Sequence, residues 1–552
     1  MSSVESANLN DDGTPILYPY KYNPNSKSRR RARSWVIFLM TAFCLFWGMV
    51  FAFMAPALIV LWMAPVGLLA LVAIWALPDL RTAPTRAVES LFFAFTLVLG
   101  LWPDYLSISL HQFGLPWVSL ERLISVPMMV IVLICVSVSA RFRGLLAQSI
   151  RAQPAIWALL FAWVVIQSYC IVLTPMPIQG LDRYVNMQTT WTLMFVVGAY
   201  IFSRPGAVEL WVRTIWLAAV VAGLIGIVEW RVHHVLWMGH LPSFLEMDPV
   251  VARTLSPEFR DYTTIYRVQS VFSTAIGFGE FISLTTPFIL NYGLSKPNTF
   301  GGRAALATVP FLFFVAIITN ARSALIGLLL GCGAYGFYWA FMQRRLHPEK
   351  LLGRALVLGY PIFAFIGFIS TFFIGRLHKA VWGGGEAQSS TLSRTVQYQT
   401  GIPHIISRPI GYGIGQAGLV LGFYAPNGLL TIDTYYLVIA LEYGVLGFIV
   451  YYGLILSGFI GAGRYAFRDT GADQECSYLG AAGSSLLAFL VIKSVFAQTD
   501  NHPLVFMTLG MVVALSSRVA LQVAKKPEKK DPQQSARRYS PLLAARDSFR
   551  LR

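Results

Sequence analysis

Charged residues are scarce in this chain of 552 residues. Only 12% of the residues are Asp, Glu, Lys or Arg, whereas 56% are hydrophobic. Soluble globular proteins carry about 25% charged residues, so the composition excludes an ordinary soluble fold. Several stretches of about 17–23 residues contain almost no charge, and a helix needs this length to cross the hydrocarbon core of a bilayer. The sequence therefore predicts an all-α polytopic membrane protein.

The sequence also lacks paired cysteines and a cleavable signal peptide. The five cysteines are scattered: Cys44, Cys135, Cys170, Cys332 and Cys476. None forms a C-x-x-C pair, and His233 and His234 have no carboxylate or cysteine at metal spacing nearby. We therefore predict no metal and no cofactor. The N-terminal tail is polar and ends in SRRRAR, so no cleaved signal is expected.

Acidic residues are few: 26 stand against 43 basic ones, which gives a net charge of +17. Nucleic-acid binding is one explanation of such a charge. A membrane topology explains it better, because the basic residues collect in the segments assigned to the cytoplasm. We expect both termini to lie in the cytoplasm and no nucleic acid to bind.

Fourteen hydrophobic stretches are candidate membrane spans, and we expect about 12–14 of them to be transmembrane helices. They cover residues 35–54, 57–77, 90–107, 123–140, 154–173, 187–203, 214–231, 271–293, 305–319, 323–342, 355–374, 442–461, 477–496 and 503–523.

These spans predict seven segments along the chain. In order they are a cytoplasmic tail (1–34), N-terminal transmembrane helices (35–230), a periplasmic loop (231–270), further transmembrane helices (271–374), a large periplasmic catalytic loop (375–441), C-terminal transmembrane helices (442–523) and a disordered basic cytoplasmic tail (524–552). The two periplasmic loops are too long for simple turns, and long loops are usually functional or disordered. Both carry aromatic, proline and charged residues, so we expect function there.

The second loop contains a misleading glycine pattern. Gly413, Gly415 and Gly418 have the spacing G-x-G-x-x-G, and Asp433 follows about 20 residues later, as in a dinucleotide-binding fingerprint. No predicted strand precedes this pattern and no βαβ unit surrounds it, so we reject that interpretation. The glycines instead predict a tight turn or a close approach of the backbone to another group.

Four arginines lie in or beside the two loops: Arg267, Arg322, Arg394 and Arg408. Guanidinium groups are permanently charged and offer paired donors that match phosphate oxygens. Each arginine alone is equally compatible with a contact to a lipid headgroup or a loop carboxylate. Together they favour an anionic ligand.

Asp433 opens an apolar segment that is interrupted at Gly444, and we predict a helix over residues 433–443. Asp433 is either the cap of this helix or a general base that the helix end keeps charged. Glu442 either positions substrate or satisfies polar groups.

Three further polar residues have open roles. His404 is a base, a phosphate donor or an ordinary loop histidine. Glu280 and Lys493 lie within predicted spans, where charges usually face a cavity or pair with each other.

Four stretches between about residues 265 and 460 resemble the O-antigen ligase and polysaccharide polymerase superfamily of bacterial inner-membrane glycosyltransferases. These are YRVQSVFSTAIGFGEFISLTTPFIL, ITNARSALIGLLLG, SRTVQYQTGIPHIISRPIGYGIGQAG and IDTYYLVIALEYGVLGFIVYY. The resemblance implies an inverting, metal-independent transfer of glycan from undecaprenyl diphosphate at the periplasmic face of the inner membrane. Its implied partners are the lipid-linked oligosaccharide, membrane lipid, and export or chain-length proteins.

The resemblance also assigns site residues by position. Arg322, Arg394 and Arg408 would act on the diphosphate, and Asp433 would serve as the catalytic base. The expected substrate-binding residues are Arg267, His404, Glu442 and Glu280. Ligases of lipid A core carry a histidine where this chain has Asp433, which favours a polymerase of exopolysaccharide or O-antigen. The alternatives are an O-antigen ligase and, from another class, a flippase or transporter of lipid-linked sugar.

Overall fold

The protein is described by a computed structural model. It covers residues 83–108, 118–247, 251–252, 266–349, 351–373, 375, 387–424, 428 and 430–525, together with residues 35, 67, 69–74 and 77. The chain divides into two compact units, residues 1–73 and 74–552. The described residues 69–73 of the first unit are helical. Most of the predicted spans 35–54 and 57–77, and the tails 1–34 and 526–552, lie outside the described residues.

The described part of the second unit is almost entirely helical. Its α-helices are α1 (Thr85–Leu101), α2 (Leu120–Val138), α3 (Ala140–Ala152), α4 (Pro154–Leu173), α5 (Pro177–Met187), α6 (Leu193–Ile201), α7 (Ala207–Val232), α8 (Ala275–Ser295), α9 (Phe300–Ile318), α10 (Arg322–Leu346), α11 (Leu351–Phe373), α12 (Ala387–Ser407), α13 (Ala417–Leu421), α14 (Tyr435–Ala466), α15 (Tyr478–Lys493) and α16 (His502–Lys525). A π-helical turn at Gln188–Thr192 joins α5 to α6, and a 3-10 turn at Gln474–Ser477 leads into α15.

Nine helical segments within the described residues are long and apolar enough to cross a membrane. They are α2, α4, α7, α9, α10, α11, α14, the turn with α15, and α16. Each of the twelve predicted spans beyond residue 77 coincides with a described helix. The prediction of an all-α polytopic membrane protein is therefore confirmed.

Close approach of backbones holds the centre of the bundle together. The helix α16 crosses α6 at Gly510, where a Cβ atom would lie only 2.5 Å from the carbonyl oxygen of Phe195. Gly279 of α8 packs in the same way against Ala324 of α10. Small residues at such crossings increase van der Waals contact, which drives helix association where lipid removes the hydrophobic effect. Most residues of α8 are buried in this packing. Most described residues of α11, by contrast, are exposed.

A small sheet gathers connections at one end of this bundle. The strands β1 (Leu106–Ile108), β2 (Val118–Ser119) and β3 (Leu245–Met247) pair antiparallel in the order β2-β1-β3. β1 follows α1, β2 precedes α2, and β3 follows α7, so the sheet connects these three parts of the chain. Ser273, before α8, donates a hydrogen bond to Asp500, before α16. We call this end of the bundle the site end.

The opposite end is rich in arginine, and we call it the basic end. It contains Arg141, Arg143, Arg204, Arg344, Arg345, Arg464 and Arg518. These arginines also connect the helix ends. Arg345 donates to the carbonyl of Phe467, and Arg518 donates to the carbonyl of Phe202 at 3.2 Å.

Candidate functional site

Three of the predicted arginines converge at the site end from separate parts of the chain. Arg267 lies shortly before α8, Arg322 begins α10, and Arg394 lies near the start of α12. The guanidinium groups of Arg394 and Arg267 are both close enough to Arg322 to repel its charge. Three cations held together in this way attract an anion. We call Arg267, Arg322 and Arg394 the arginine cluster.

A buried carboxylate fixes the segment that carries Arg267. Glu229, at the end of α7, is 1% exposed. It accepts hydrogen bonds from the hydroxyl of Tyr266 at 2.7 Å and from the backbone N–H groups of Gln269 and Ser270 at 3.2 and 2.6 Å. Bonds from backbone N–H groups to a charged acceptor are among the strong ones, so Glu229 holds residues 266–270 in place.

The same segment is tied to the turn that carries Arg322. Asn320 adopts a positive φ of 49°, which asparagine tolerates better than most residues. Its side-chain amide donates to the carbonyl of Tyr266 at 2.9 Å. The turns that bear Arg267 and Arg322 are therefore connected through Tyr266 and Asn320.

Asp433 lies beside the arginine cluster and is held by Gln397 of α12. The amide of Gln397 donates to the carboxylate of Asp433 at 3.2 Å and accepts from its backbone N–H at 2.9 Å. Thr434, and not Asp433, caps α14, since the Thr434 hydroxyl accepts from the N–H of Tyr436. The capping alternative for Asp433 is therefore wrong, and its carboxylate is directed to Gln397.

The surroundings of Asp433 act on its protonation in opposite directions. Burial raises the pKa of its carboxyl group above the usual value, while the nearby charge of Arg394 and the hydrogen bond from Gln397 lower the pKa in part. A carboxylate with a raised pKa is a stronger base, as general-base catalysis requires.

Arg394 has an unused donor at this site. Its Nε atom is buried and has no hydrogen-bond partner among the described residues. A buried guanidinium N–H without a partner is costly, and a bound phosphate oxygen would satisfy it.

Arg408 and His404 lie at the other end of α12. Fourteen residues separate Arg394 from Arg408, which corresponds to about 21 Å along a helix. The guanidinium of Arg408 covers the ring of Tyr412, 5.2 Å from its centroid. The carbonyl of His404 accepts from the hydroxyl of Tyr412 at 3.1 Å. The structure therefore does not bring these two residues to the arginine cluster.

The glycine-rich loop is inserted into a break in α14. Gly444 interrupts this helix, as predicted, with φ of 71° and ψ of −175°. The carbonyls of Leu441 and Glu442 lose their helical partners there and accept from the N–H groups of Tyr412 and Gly413 at 2.8 and 3.0 Å. The N–H of Val445 in turn donates to the carbonyl of Pro409 at 2.9 Å.

Close backbone contacts explain two glycines of this loop, Gly411 and Gly413. A Cβ atom on Gly411 would lie 2.5 Å from the carbonyl oxygen of Glu442, and one on Gly413 would lie 2.5 Å from the backbone nitrogen of Thr174. Both residues also have φ near +90° or above, a region that favours glycine. Of the three glycines in the G-x-G-x-x-G pattern, Gly413 thus serves a close backbone contact.

The two predicted glutamates have structural partners. The side chain of Glu442 is close to the backbone N–H groups of Gly415 and Ala417. Glu280 and Lys493 form an ion pair at 3.0 Å in which neither side chain is exposed, so the predicted pairing is confirmed. Substrate binding by Glu280 is not supported by this position, because Lys493 and Asn501 already occupy its carboxylate.

A cavity of about 790 Å³ lies next to the site, and its lining includes Leu430, Thr431 and Ile432, which directly precede Asp433. Its walls come from α5, α13, α14 and the connection before α16. They include Arg183 and Asp500, which were not among the predicted site residues. Arg183 occurs in a region without a recognised motif. The polar sequence QTDNH around Asp500, between two spans on the same side, was the available signal.

Comparison with known proteins gives one match. Residues 307–452, about a quarter of the chain, match the family model described as O-antigen ligase. No curated protein matches the chain. The matched segment contains Arg322, Arg394 and Asp433, as well as the break in α14 at Gly444.

This family comprises ligase and polymerase enzymes of glycosyltransferase type that use lipid-linked oligosaccharides, in agreement with the many apolar helices of the fold. Residues 307–452 are therefore similar to the O-antigen ligase family, and the resemblance of this multi-pass membrane protein to the O-antigen ligase and polymerase superfamily is confirmed.

Proposed function

We propose that the protein is a polysaccharide polymerase that transfers glycan from undecaprenyl diphosphate to a lipid-linked acceptor sugar at the periplasmic face. The observation that carries this proposal is the convergence of Arg267, Arg322 and Arg394 beside Asp433. Cations for a diphosphate and a carboxylate base are the two groups that such a transfer requires.

The arginine cluster would stabilise the leaving group. When the bond between the anomeric carbon and the phosphate oxygen breaks, negative charge grows on the diphosphate. Cations that are already in position stabilise this charge without reorganisation, and the loss of one such donor typically costs about 10²–10³ in rate. The unpartnered Nε of Arg394 supports a direct contact.

Asp433 would act as the general base. Its carboxylate accepts the proton of the acceptor hydroxyl while the hydroxyl oxygen forms the new bond to the anomeric carbon. Attack from the face opposite the diphosphate inverts that carbon and needs no metal. Gln397 orients the carboxylate through its two hydrogen bonds.

The charge distribution supports the proposed orientation. The basic end collects arginines, and cytoplasmic ends of membrane proteins are enriched in lysine and arginine. The site end would then face the periplasm of a bacterium, with the protein in its inner membrane. A polyprenyl tail could remain in the bilayer while its head reaches the arginine cluster.

An O-antigen ligase is the second candidate, because the matched family carries that description. The two differ in the acceptor: a ligase labels lipid A core or another acceptor, whereas a polymerase lengthens its lipid-linked substrate. Asp433, where ligases carry histidine by resemblance, favours the polymerase.

Purified protein in lipid nanodiscs, supplied with defined lipid-linked repeat units, tests the proposal. We expect a ladder of longer lipid-linked products on a gel. Arg322→Ala and Arg394→Ala should each lower the rate by about 10²–10³. Arg303→Ala is the control, since it removes an exposed arginine near the start of α9, at the opposite end of that helix from Arg322.

Normal product length and rate in both cluster variants would refute the diphosphate assignment. Transfer to lipid A core without any lengthening of the lipid-linked substrate would identify a ligase instead.

A further inference from the structure

The cavity of about 790 Å³ shares a short segment with the proposed catalytic base. Leu430, Thr431 and Ile432 form part of its wall, and Asp433 follows directly in the chain. The arginine cluster is not part of its described lining. The cavity is thus adjacent to Asp433 but separate from the proposed diphosphate site.

One side of the cavity is acidic. Asp104, Glu121 and Asp500 line it, and each of the three carboxylates is close enough to the other two to repel them. Asp500 accepts from the hydroxyl of Ser273 at 2.5 Å. The Oδ1 atom of Asp104 is buried and has no hydrogen-bond partner among the described residues. These carboxylates can accept hydrogen bonds from a ligand but cannot donate when ionised.

The described cations of the lining do not balance these carboxylates. Arg122 lies within electrostatic range of Glu121 but directs two hydrogen bonds to Asp182, at 2.9 and 3.1 Å. Arg183 lies near Gly415 and within electrostatic range of Glu442, a fourth carboxyl group of the lining. The lining therefore holds more carboxyl groups than cations. Burial and mutual repulsion raise the pKa of Asp104 and raise the pKa of Glu121 to about 7, so a ligand that donates hydrogen bonds or carries positive charge favours their ionised forms, whereas a diphosphate does not.

The remaining lining is suited to an organic polar molecule. Gln179 and Gln498 offer amides that both donate and accept, and Trp191 and Tyr435 add aromatic surface. A volume of this size lies within the range of about 300–1,000 Å³ that is typical of small-molecule sites. The described carboxylates are not arranged to hold a metal ion.

We propose that this cavity binds the saccharide part of the substrate, and that it accepts sugars that present hydroxyl or ammonium groups but not carboxylates. The inference rests on the proposed function in one respect, because it places the saccharide next to the base Asp433. Sugar hydroxyl and ammonium groups supply the donors that Asp104, Glu121 and Asp500 need. A carboxylate on the sugar would oppose the ionisation of Asp104 and Glu121, and an acidic sugar should therefore bind less tightly.

Binding of two soluble tetrasaccharides to the full-length protein in lipid nanodiscs tests this inference. The probes are the glucosamine tetramer, cationic slightly below neutral pH, and tetragalacturonic acid. We expect the glucosamine tetramer to bind at least about tenfold more tightly in calorimetry. Asp104→Asn and Asp500→Asn should each weaken its binding by about tenfold, as the loss of one hydrogen bond to a charged group predicts.

Glu246→Gln is the matched control. It removes an exposed carboxylate from β3, at the same end of the protein but outside the cavity, and should leave tetramer binding unchanged. Binding of sugar-free undecaprenyl diphosphate to each variant shows whether the variants remain folded. The two aspartate variants should retain it, and Arg322→Ala should lose it.

Equal binding of both tetramers, no binding of either, or unchanged binding in both aspartate variants would overturn the saccharide inference. If undecaprenyl diphosphate binds to Arg322→Ala as tightly as to the unsubstituted protein, the proposed diphosphate site is wrong. The result with the tetramers does not depend on that outcome. The two proposals can therefore fail separately.

Discussion

Arg394 acts on charges of both signs. It repels Arg322 and thereby contributes to an anion site, and it attracts Asp433 and thereby keeps the proposed base ionised. Gln397, one helical turn later, assists in the second role by donating to the carboxylate. A single turn of α12 thus links the cation site to the base.

The pH dependence of transfer should reveal this link. Asp433 must be ionised to accept a proton, so the rate should fall as the pH drops through its raised pKa. Gln397→Met removes a donor that lowers this pKa, and the acid limb should therefore move to higher pH. The measurement is kcat/KM against pH for both proteins. If the acid limb of Gln397→Met lies at the same pH as that of the unsubstituted protein, the proposed role of Asp433 is contradicted. Asp433→Asn should be inactive at all pH values.

Comparison of Arg394 with Arg408 tests the geometry of α12. Arg394→Ala should lower the transfer rate by about 10²–10³, since it removes a donor at the diphosphate. Arg408→Ala should have a much smaller effect, because about 21 Å of helix separates it from Arg394. Transfer assays with equal amounts of each variant in the membrane measure both. Equal losses would show that Arg408 also acts at the diphosphate.

At the scale of secondary-structure elements, the break in α14 determines where the glycine-rich loop lies. Three backbone hydrogen bonds join residues 409–413 to residues 441–445. The break depends on Gly444, whose φ and ψ of 71° and −175° are essentially confined to glycine.

Gly444→Ala should destabilise the protein. The change strains the backbone by about 1–3 kcal/mol, and its Cβ atom would lie 2.2 Å from the carbonyl oxygen of Pro409. We expect a lower Tm in a thermal unfolding assay and reduced transfer. Gly463→Ala in the same helix is the control, since a Cβ atom there meets no atom within 4 Å. A Tm unchanged by Gly444→Ala would contradict this view of the break.

The helices were predictable because hydropathy depends only on local composition. The predicted span 154–173 coincides with α4, and the interruption at Gly444 was also correctly predicted. Within the segment predicted as a large loop, α12 was not predicted as a helix of 21 residues. Its polar residues give no hydropathy signal for a membrane span. Because no helix was predicted between them, Arg394 and Arg408 were expected to lie close together in space.

The site was predictable only where a residue type indicated its own chemistry. Arg322, Arg394 and Asp433 were predicted to form an anion site and a base; the structure brings Arg394 close to both of the others, and the roles stay a proposal. Arg183 and Glu229 were not, because their roles arise from contacts with residues more than 30 positions away. Such long-range contacts have no signature in a single sequence.

At the scale of the whole molecule, the two ends of the bundle differ in charge and content. The arginine cluster, Asp433 and the cavity occupy the site end, and the arginines of the opposite helix ends occupy the basic end. This asymmetry is what a vectorial enzyme would need, since its lipid-linked substrate is used on one side only.

Cysteine labelling should confirm the orientation. His240 is exposed at the site end and Glu349 is exposed at the basic end. In a cysteine-free background, His240→Cys should react with a membrane-impermeant thiol reagent in spheroplasts, and Glu349→Cys should react only in inverted vesicles. The reverse pattern would place the site in the cytoplasm and exclude the proposed periplasmic transfer.

The docking of the glycine-rich loop also restricts how this region can change in length. One residue inserted between 409 and 413 would shift the N–H groups that replace the missing helical partners of Leu441 and Glu442. Gly428, which lies between Phe423 and Thr431 in the chain, is exposed, and a Cβ atom there would meet none of the described residues within 4 Å. Natural insertions, or an epitope tag for purification, should therefore be accepted at Gly428 and rejected four residues after Arg408.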